Sequence, residues 1–198
     1  MSRFMGLVQS EVDKDKYGGL NFKSLSLIPA KRIQWYWPGM LAQGKFHVFA
    51  GDGGIGKTQI LCSIAATVSK GGIFAGEKEP CEQGKVLYLT GEDGAGDTIK
   101  PRVMACGGVL DNVTVLDSSK KDGNLVSLSR NLDNIADMLN DYGDYKLFII
   151  DPVTAFCDDK FDNNSVTSVR SLATKLGSLA EDTGVAVIGL THLTKDEQ

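Results

Sequence analysis

Residues 51–58 (GDGGIGKT) match the whole phosphate-loop pattern G-x-x-x-x-G-K-[ST] and constrain the fold more than any other part of the chain. An apolar, β-prone stretch precedes the loop at 45–50, and a stretch with apolar residues at helical spacing follows at 59–69. In a strand–loop–helix context, backbone N–H groups surround a phosphate at the helix N-terminus, where the dipole favours anions. The motif predicts that Lys57 contacts the β- and γ-phosphates of a nucleotide and that the Thr58 hydroxyl binds Mg²⁺.

The first, third and sixth residues of this loop also satisfy the dinucleotide-binding pattern G-x-G-x-x-G. That pattern requires an acidic residue about 20 residues further on, at the end of the next strand. Here the next predicted strand ends much later, near Glu92, and a dinucleotide-binding fold gives Lys57 and Thr58 no role. A chance glycine-rich turn is disfavoured by the flanking strand and helix. The sequence therefore favours a P-loop, the Walker A motif.

Length and composition are those of one α/β domain. The 198 residues, 42% of them hydrophobic, suffice for one substantial core but not for two comfortable domains. The formal charge of −4 gives no general attraction to nucleic acid, so DNA contact would require a local patch or loops facing a shared channel. No apolar run approaches the roughly 20 residues of a membrane span, and the N-terminus has no signal-peptide pattern. We therefore expect a cytoplasmic protein without membrane contact.

Residues 1–34 are predicted to form an N-terminal arm before the core. The first part of the arm mixes charges with adjacent glycines and shows no sustained period, so we expect it to be partly flexible. The arm is mildly basic and can remain a solvated tail or dock on a neighbouring subunit. The ATPase core is expected to span 35–198. It begins with the aromatic run at 35–37, which is more typical of packing on the flank of a domain than of stacking on a base.

The core alternates predicted strands and helices. Strands are predicted at 45–50, 86–90, 113–116, 146–151 and 185–190, and helices at 59–69, 97–106, 129–141 and 166–182. The last helix is predicted to be capped by Asn163, Asn164 or Ser165. This alternation predicts an α/β fold with a mostly parallel sheet, right-handed crossovers and helices on both faces.

Polar side chains lie at the ends of several predicted strands. Glu92 follows the second strand, Asp151 ends the fourth, and His192 follows the fifth, while Thr58 belongs to the P-loop after the first. In open parallel sheets the carboxyl ends of the strands share one edge, where ligands bind. Because Asp151 ends an apolar strand well after the P-loop, we predict that it is the Walker B residue, which holds Mg²⁺ together with Thr58.

On these motifs the chain resembles RecA-type ATPases, and more narrowly the plasmid RepA-type hexameric replicative helicases and their phage and prophage relatives in the same AAA-like group. The resemblance covers roughly residues 35–198. It rests on WPG at 37–39, the P-loop, LYLTGED at 87–93 with the later Arg102, the strand at 147–152 and THLTK at 191–195. It implies a RecA-like P-loop fold.

The same resemblance implies a role for each candidate residue. Glu92 polarises the attacking water, His192 senses the γ-phosphate between the P-loop and Walker B strands, and Arg102 connects the nucleotide site to DNA or to a neighbouring subunit. The predicted catalytic residues are Lys57, Glu92 and His192. The predicted ATP-binding residues are Gly51, Asp52, Gly53, Gly54, Ile55, Gly56, Lys57, Thr58, Gln59 and Arg102, and the predicted Mg²⁺ ligands are Thr58 and Asp151.

The implied function is the ATP-hydrolysing core of a DNA helicase or translocase in DNA replication or recombination. Such a core works on single-stranded DNA as a homo-oligomer, for example a hexamer. Helicases of this kind supply an arginine finger from β-structure after the last predicted strand, and the sequence stops at Gln198 before such a segment. We expect that the core is truncated or lacks this part, and that in isolation it hydrolyses ATP feebly and forms no stable ring. One alternative is a nucleotide-gated regulatory or binding module without translocation. A small-molecule kinase is disfavoured because Glu92 and His192 suit attack by water.

Overall fold

A computed structural model describes residues 22–117, 126–158 and 165–192 of the chain. The chain divides into two units, 1–33 and 34–198. The described part of the first unit contains one 3₁₀ turn, Leu25–Leu27. The arm over 1–34 stays a prediction, and the proposed capping residues Asn163 and Asn164 lie outside the described residues. Ser165 does cap the last helix, because its side chain accepts a hydrogen bond from the Ser168 N–H.

The described part of the second unit consists of a small hairpin and a parallel sheet with crossover helices. Its strands are β1 (Trp35–Trp37), β2 (Leu41–Ala42), β3 (Phe46–Gly51), β4 (Lys85–Thr90), β5 (Val113–Asp117), β6 (Tyr145–Asp151) and β7 (Ala186–His192). Its α-helices are α1 (Lys57–Lys70), α2 (Lys100–Ala105), α3 (Leu128–Asp141) and α4 (Val166–Thr183). β1 and β2 pair antiparallel, while the other strands form a parallel sheet in the order β3-β7-β6-β4-β5. The predicted α/β fold is confirmed.

The sheet is covered by helices on both faces, because the side chains of its central strands are apolar on both faces. Successive side chains of a strand point to opposite faces, and those from Val86 to Leu89 and from Leu147 to Ile150 are at most 1% exposed. One face packs against α1 and α2, and the other packs against α3 and α4. The prediction of helices on both faces is therefore confirmed. None of the described helices is both long and apolar enough to cross a membrane.

The strand register brings the carboxyl ends of the strands to one edge of the sheet. Thr90 of β4 lies opposite Asp151 of β6, and Gly51 of β3 lies opposite His192 of β7. β7 lies between β3 and β6. The P-loop, the segment after β4 and the end of β6 therefore open onto the same edge, where open α/β sheets bind their ligands.

The aromatic run at 35–37 lies in the β1–β2 hairpin, where Tyr36 and Trp37 pack against the unit and Trp35 is 40% exposed. Tyr36 is 5% exposed. Trp37 stacks on Phe74 with 4.8 Å between the ring centroids and 4° between the ring planes. This stacking ties the hairpin to the segment that follows α1.

The helix predicted at 97–106 is less regular than expected. Ala95–Ile99 is a π-helical turn, and only Lys100–Ala105 is α-helical. The Ile99 N–H bonds to the carbonyl of Gly94 at 3.1 Å, across the wide spacing of a π-turn. Pro101 has no N–H to donate, so regular α-helical bonding cannot pass through this position. The predicted helix is therefore present, and the structure adds that its first turn is π-helical.

The core on the α3–α4 face can be tested at Leu176 of α4, which is 0% exposed. We expect Leu176→Ala to lower the free energy of unfolding by about 2–5 kcal/mol, because loss of buried methyl groups leaves a cavity. Urea denaturation followed by circular dichroism measures the change. Val166→Ala, at a position of the same helix that is 70% exposed, is the matched control and should change the free energy by less than about 0.5 kcal/mol. Equal losses in the two variants would contradict the burial of this helix face.

Candidate nucleotide-binding and hydrolysis site

The P-loop connects β3 to α1 through glycines in conformations that other residues rarely adopt. Gly54 and Gly56 have φ angles of 77° and 86°. Gly56 is the N-cap of α1 and has no side chain that could cap the first N–H groups of the helix. Of the other predicted loop residues, Gly51 is buried at the end of β3, and Asp52, Gly53 and Ile55 are exposed. The loop therefore brings the first N–H groups and the positive end of α1 to the sheet edge, the geometry of an anion site.

The Lys57 side chain folds back into the loop and is buried. The residue is 5% exposed. Its ammonium donates to the carbonyl oxygens of Gly51 at 2.8 Å and Asp52 at 2.5 Å, and it lies 3.3 Å from Nδ1 of His192. Among the described residues, no carboxylate forms an ion pair with it. Because burial of an unpaired charge is costly, this ammonium favours the binding of an anion.

His192 lies between Lys57 and Glu92. A lysine ammonium can only donate, so Nδ1 of His192 is the acceptor and the ring proton lies on Nε2. Nε2 lies 3.9 Å from Oε2 of Glu92, which is farther than a direct hydrogen bond. The Glu92 side chain is 65% exposed. Lys57, His192 and Glu92 thus form a row along the sheet edge, and water has access to the carboxylate at its end.

Asp151 ends β6 and is 6% exposed. Its Oδ2 accepts a hydrogen bond from the Tyr88 hydroxyl at 2.8 Å, and the Thr58 side chain also hydrogen-bonds to this carboxyl group. Burial raises the pKa of Asp151, the two hydrogen bonds oppose this rise, and the nearby acids Asp93 and Glu92 add to it. A cation beside the carboxylate would offset both the burial and the repulsion between acids.

The predicted Mg²⁺ ligands Thr58 and Asp151 are in contact through that hydrogen bond. A hydroxyl and a carboxylate are the oxygen donors that Mg²⁺ prefers, and Mg²⁺ usually takes one or two protein ligands besides substrate phosphates and water. The described residues contain no group of three or more His, Cys, Asp or Glu side chains that could hold a metal by themselves. The donor set therefore fits a cation shared with nucleotide phosphates rather than a dedicated metal cage.

Arg102 and Gln59, which were also predicted to contact the nucleotide, are bonded to neighbouring side chains. The Arg102 guanidinium pairs with the Asp93 carboxylate at 3.3 Å, and both side chains are about one-third exposed. The Gln59 amide lies 3.5 Å from Sγ of Cys106. The Arg102–Asp93 pair ties α2 to the segment that carries Glu92. Direct contact of Arg102 or Gln59 with nucleotide stays a prediction.

Two residues beside the predicted site lie within the LYLTGED stretch at 87–93 but were given no role in the sequence analysis. Tyr88 stands in an otherwise aliphatic strand, and the available signal was its hydroxyl, which needs a partner when it is buried. The Gly91 N–H donates to the carbonyl of Asp151 at 3.0 Å, and a Cβ at Gly91 would lie 2.5 Å from the Cβ of Ala155. Only glycine lets the chain pass this point, one residue after the last register pair of β4 and β6, before it reaches Glu92.

Comparison with known proteins places this site in a family. The family described as "AAA domain" matches residues 20–198. A protein named DNA repair protein RadA from Rickettsia conorii is 27% identical over 194 residues, which cover 96% of this chain and 39% of the relative. Proteins of the same name from Rickettsia bellii and Brucella abortus are each 28% identical over 162 residues, which cover 81% of this chain and 31% of the relative. The chain thus spans about a third of the length of these relatives.

The family match includes the P-loop and every strand of the parallel sheet. A P-loop that opens α1 after an edge strand, with polar strand ends on the same edge, agrees with this match. The narrower resemblance to RepA-type helicases stays a prediction. From its sequence match and its fold, the chain belongs to the AAA domain family and is a RecA-like P-loop ATPase domain.

Proposed function

We propose that this chain is the ATP-binding and ATP-hydrolysing core of a motor that acts on DNA. The observation that carries the proposal is the buried Lys57 ammonium, which has only neutral acceptors among the described residues. A nucleoside triphosphate supplies the missing negative charge, and the N-terminus of α1 supplies free N–H groups for its phosphates. A lysine with a purely structural role would be expected to pair with a carboxylate, and a lysine without a role would be expected to lie in solvent.

Nucleotide binding exchanges the partners of Lys57. Phosphate oxygens would replace the carbonyls of Gly51 and Asp52, since a charged acceptor forms a stronger hydrogen bond with an ammonium than a neutral carbonyl does. Because Nδ1 of His192 lies 3.3 Å from the same ammonium, movement of Lys57 changes the surroundings of the imidazole. This contact supports the role of His192 as a sensor of the terminal phosphate.

Hydrolysis requires a group that orients water towards that phosphate. Glu92 is proposed for this role, because its carboxylate is accessible to solvent and lies 3.9 Å from His192, at the far end of the row that starts at Lys57. The carboxylate accepts a proton from the attacking water, and Lys57 stabilises the negative charge of the phosphoryl group.

Thr58 and Asp151 are the residues that would hold Mg²⁺. When bound, Mg²⁺ neutralises charge on the β- and γ-phosphate oxygens. Thr58 lies at the start of α1 and Asp151 at the end of β6, so this pair spans the sheet edge beside the phosphate site.

The proposed partner is single-stranded DNA, and the proposed state is a homo-oligomer in the cytoplasm. The relatives named DNA repair protein RadA support action on DNA in repair or recombination, and the resemblance to RepA-type helicases supports translocation in replication. With a formal charge of −4, a single copy has no general attraction to phosphates, so DNA contact is proposed to come from loops of several copies around one strand. The alternative is a nucleotide-gated regulatory module without translocation.

The proposed contact of Lys57 with phosphate can be tested with Lys57→Met. This substitution retains an unbranched apolar chain and removes the ammonium group. We expect the affinity for ATP to fall by about 10- to 100-fold, since a hydrogen bond to a charged group contributes about 1.5–3 kcal/mol. Isothermal titration calorimetry measures the affinity. Lys70→Met, at the exposed end of the same helix, is the matched control and should bind ATP like the wild type. Unchanged affinity in Lys57→Met would refute the proposed site.

Substitution of Glu92 can distinguish an effect on ATP hydrolysis from an effect on ATP binding. We expect Glu92→Gln to retain ATP affinity and to lose about 10²–10⁴-fold in turnover, because the amide cannot accept a proton from water. Phosphate release under single-turnover conditions measures the rate, and calorimetry measures the affinity. Glu79→Gln, in the exposed connection between α1 and β4, serves as the control of equal charge change. Full activity in Glu92→Gln would rule out this carboxylate as the hydrolytic group.

Action on DNA is tested by measuring ATP turnover with and without single-stranded DNA. A DNA motor should hydrolyse ATP faster when the strand is present, because strand binding orders the loops between copies around the nucleotide. The Lys57→Met variant should show no stimulation. Equal turnover with and without DNA in the wild type would favour the nucleotide-gated module instead.

A further inference from the structure

Tyr88 has a polar contact at a point where its strand is otherwise aliphatic. It lies in β4 and is 0% exposed, between two leucines. Its hydroxyl donates a hydrogen bond of 2.8 Å to Oδ2 of Asp151 on the neighbouring strand β6. The distance is typical of a strong bond to a carboxylate. One oxygen of the proposed Mg²⁺ ligand is therefore held by a neutral side chain from within the core.

The same hydroxyl has a second partner on α1. The Cys62 side chain is 0% exposed and hydrogen-bonds to Tyr88. Three elements, α1, β4 and β6, thus meet in one chain of hydrogen bonds.

Cys62 lies one helical turn after Thr58 and therefore on the same face of α1. Thr58 hydrogen-bonds to Asp151, while Cys62 hydrogen-bonds to Tyr88. The helix that follows the P-loop is consequently attached to the Asp151 carboxyl group directly through Thr58 and indirectly through Cys62 and Tyr88. A rotation of this carboxyl group would break contacts with both β4 and α1.

We propose that Tyr88, supported by Cys62, is a positioning residue that orients the Asp151 carboxylate for Mg²⁺. The inference rests on the proposed function, since it assigns a support to the proposed metal ligand. Groups that orient a metal ligand commonly affect metal affinity, and their loss costs about 10–100-fold. A tyrosine that only satisfied its own hydroxyl would affect stability without a selective effect on the metal.

The test compares the binding of ADP with and without Mg²⁺ in the wild type and in Tyr88→Phe. Removal of the hydroxyl should raise the Mg²⁺ concentration at half-maximal formation of the Mg²⁺–ADP complex by about tenfold or more. The affinity for ADP in the presence of EDTA should stay at the wild-type value, because the phosphate contacts of the P-loop are retained. Calorimetry measures both quantities and does not depend on hydrolysis.

Cys62→Ala provides a second test that leaves the Tyr88 hydroxyl in place. It should shift the Mg²⁺ midpoint in the same direction by a smaller factor, and Cys62→Ser, which keeps a donor, should restore the wild-type midpoint. Tyr145→Phe is the matched control. Tyr145 lies at the start of β6, and its hydroxyl bonds to Thr114 of β5. The loss of this hydroxyl should leave the midpoint unchanged.

An unchanged Mg²⁺ midpoint in folded Tyr88→Phe would overturn the inference. If Tyr88→Phe fails to fold, an unchanged midpoint in Cys62→Ala overturns it instead. Equal losses of ADP affinity with Mg²⁺ and with EDTA would show a structural role and also overturn it. These results differ from failure of the proposed function, in which the wild type itself binds no ADP under either condition.

Discussion

A buried positive charge with no acidic partner in the described part of the chain is the constraint on which this domain depends. The Lys57 ammonium lies at the N-terminus of α1, where the helix dipole is also positive, and its acceptors in the described residues are two carbonyls and an imidazole. Both the lysine and the helix end are therefore stabilised by an anion. The glycines at 54 and 56 permit the turn that brings them together. The other polar groups of the sheet edge lie around the Lys57 ammonium and the N-terminus of α1.

The parallel sheet provides a rigid base for that arrangement. Its central strands are covered on both faces, so their ends cannot shift without disturbing two packed layers. β7 lies between the P-loop strand and the Asp151 strand, and it delivers His192 next to Lys57. Beneath this edge, the contacts of Tyr88 with Asp151 and Cys62 link the proposed Mg²⁺ ligand to the P-loop helix.

Much of the fold followed from local sequence patterns. The strands at 113–116 and 146–151 and the helix at 129–141 were predicted within one residue, because apolar periodicity and turn residues act over short distances. The predicted helix at 97–106 carried no information about hydrogen-bond type, so only the structure revealed the π-helical turn at 95–99. Tyr88 was overlooked for a similar reason: in a strand buried on both faces, a tyrosine and a leucine fit the same hydrophobic pattern.

The sequence alone determined the chemical groups of the site and their order along the chain: a P-loop, strand-end acids and a histidine after the last strand. Only the tertiary structure decided that Lys57 lacks a carboxylate partner within the described residues, that His192 separates it from Glu92, and that Tyr88 holds Asp151. The reason is distance along the chain. The Lys57–His192 and Tyr88–Asp151 contacts join residues 135 and 63 positions apart, and a local pattern carries no information about which distant side chain will lie opposite.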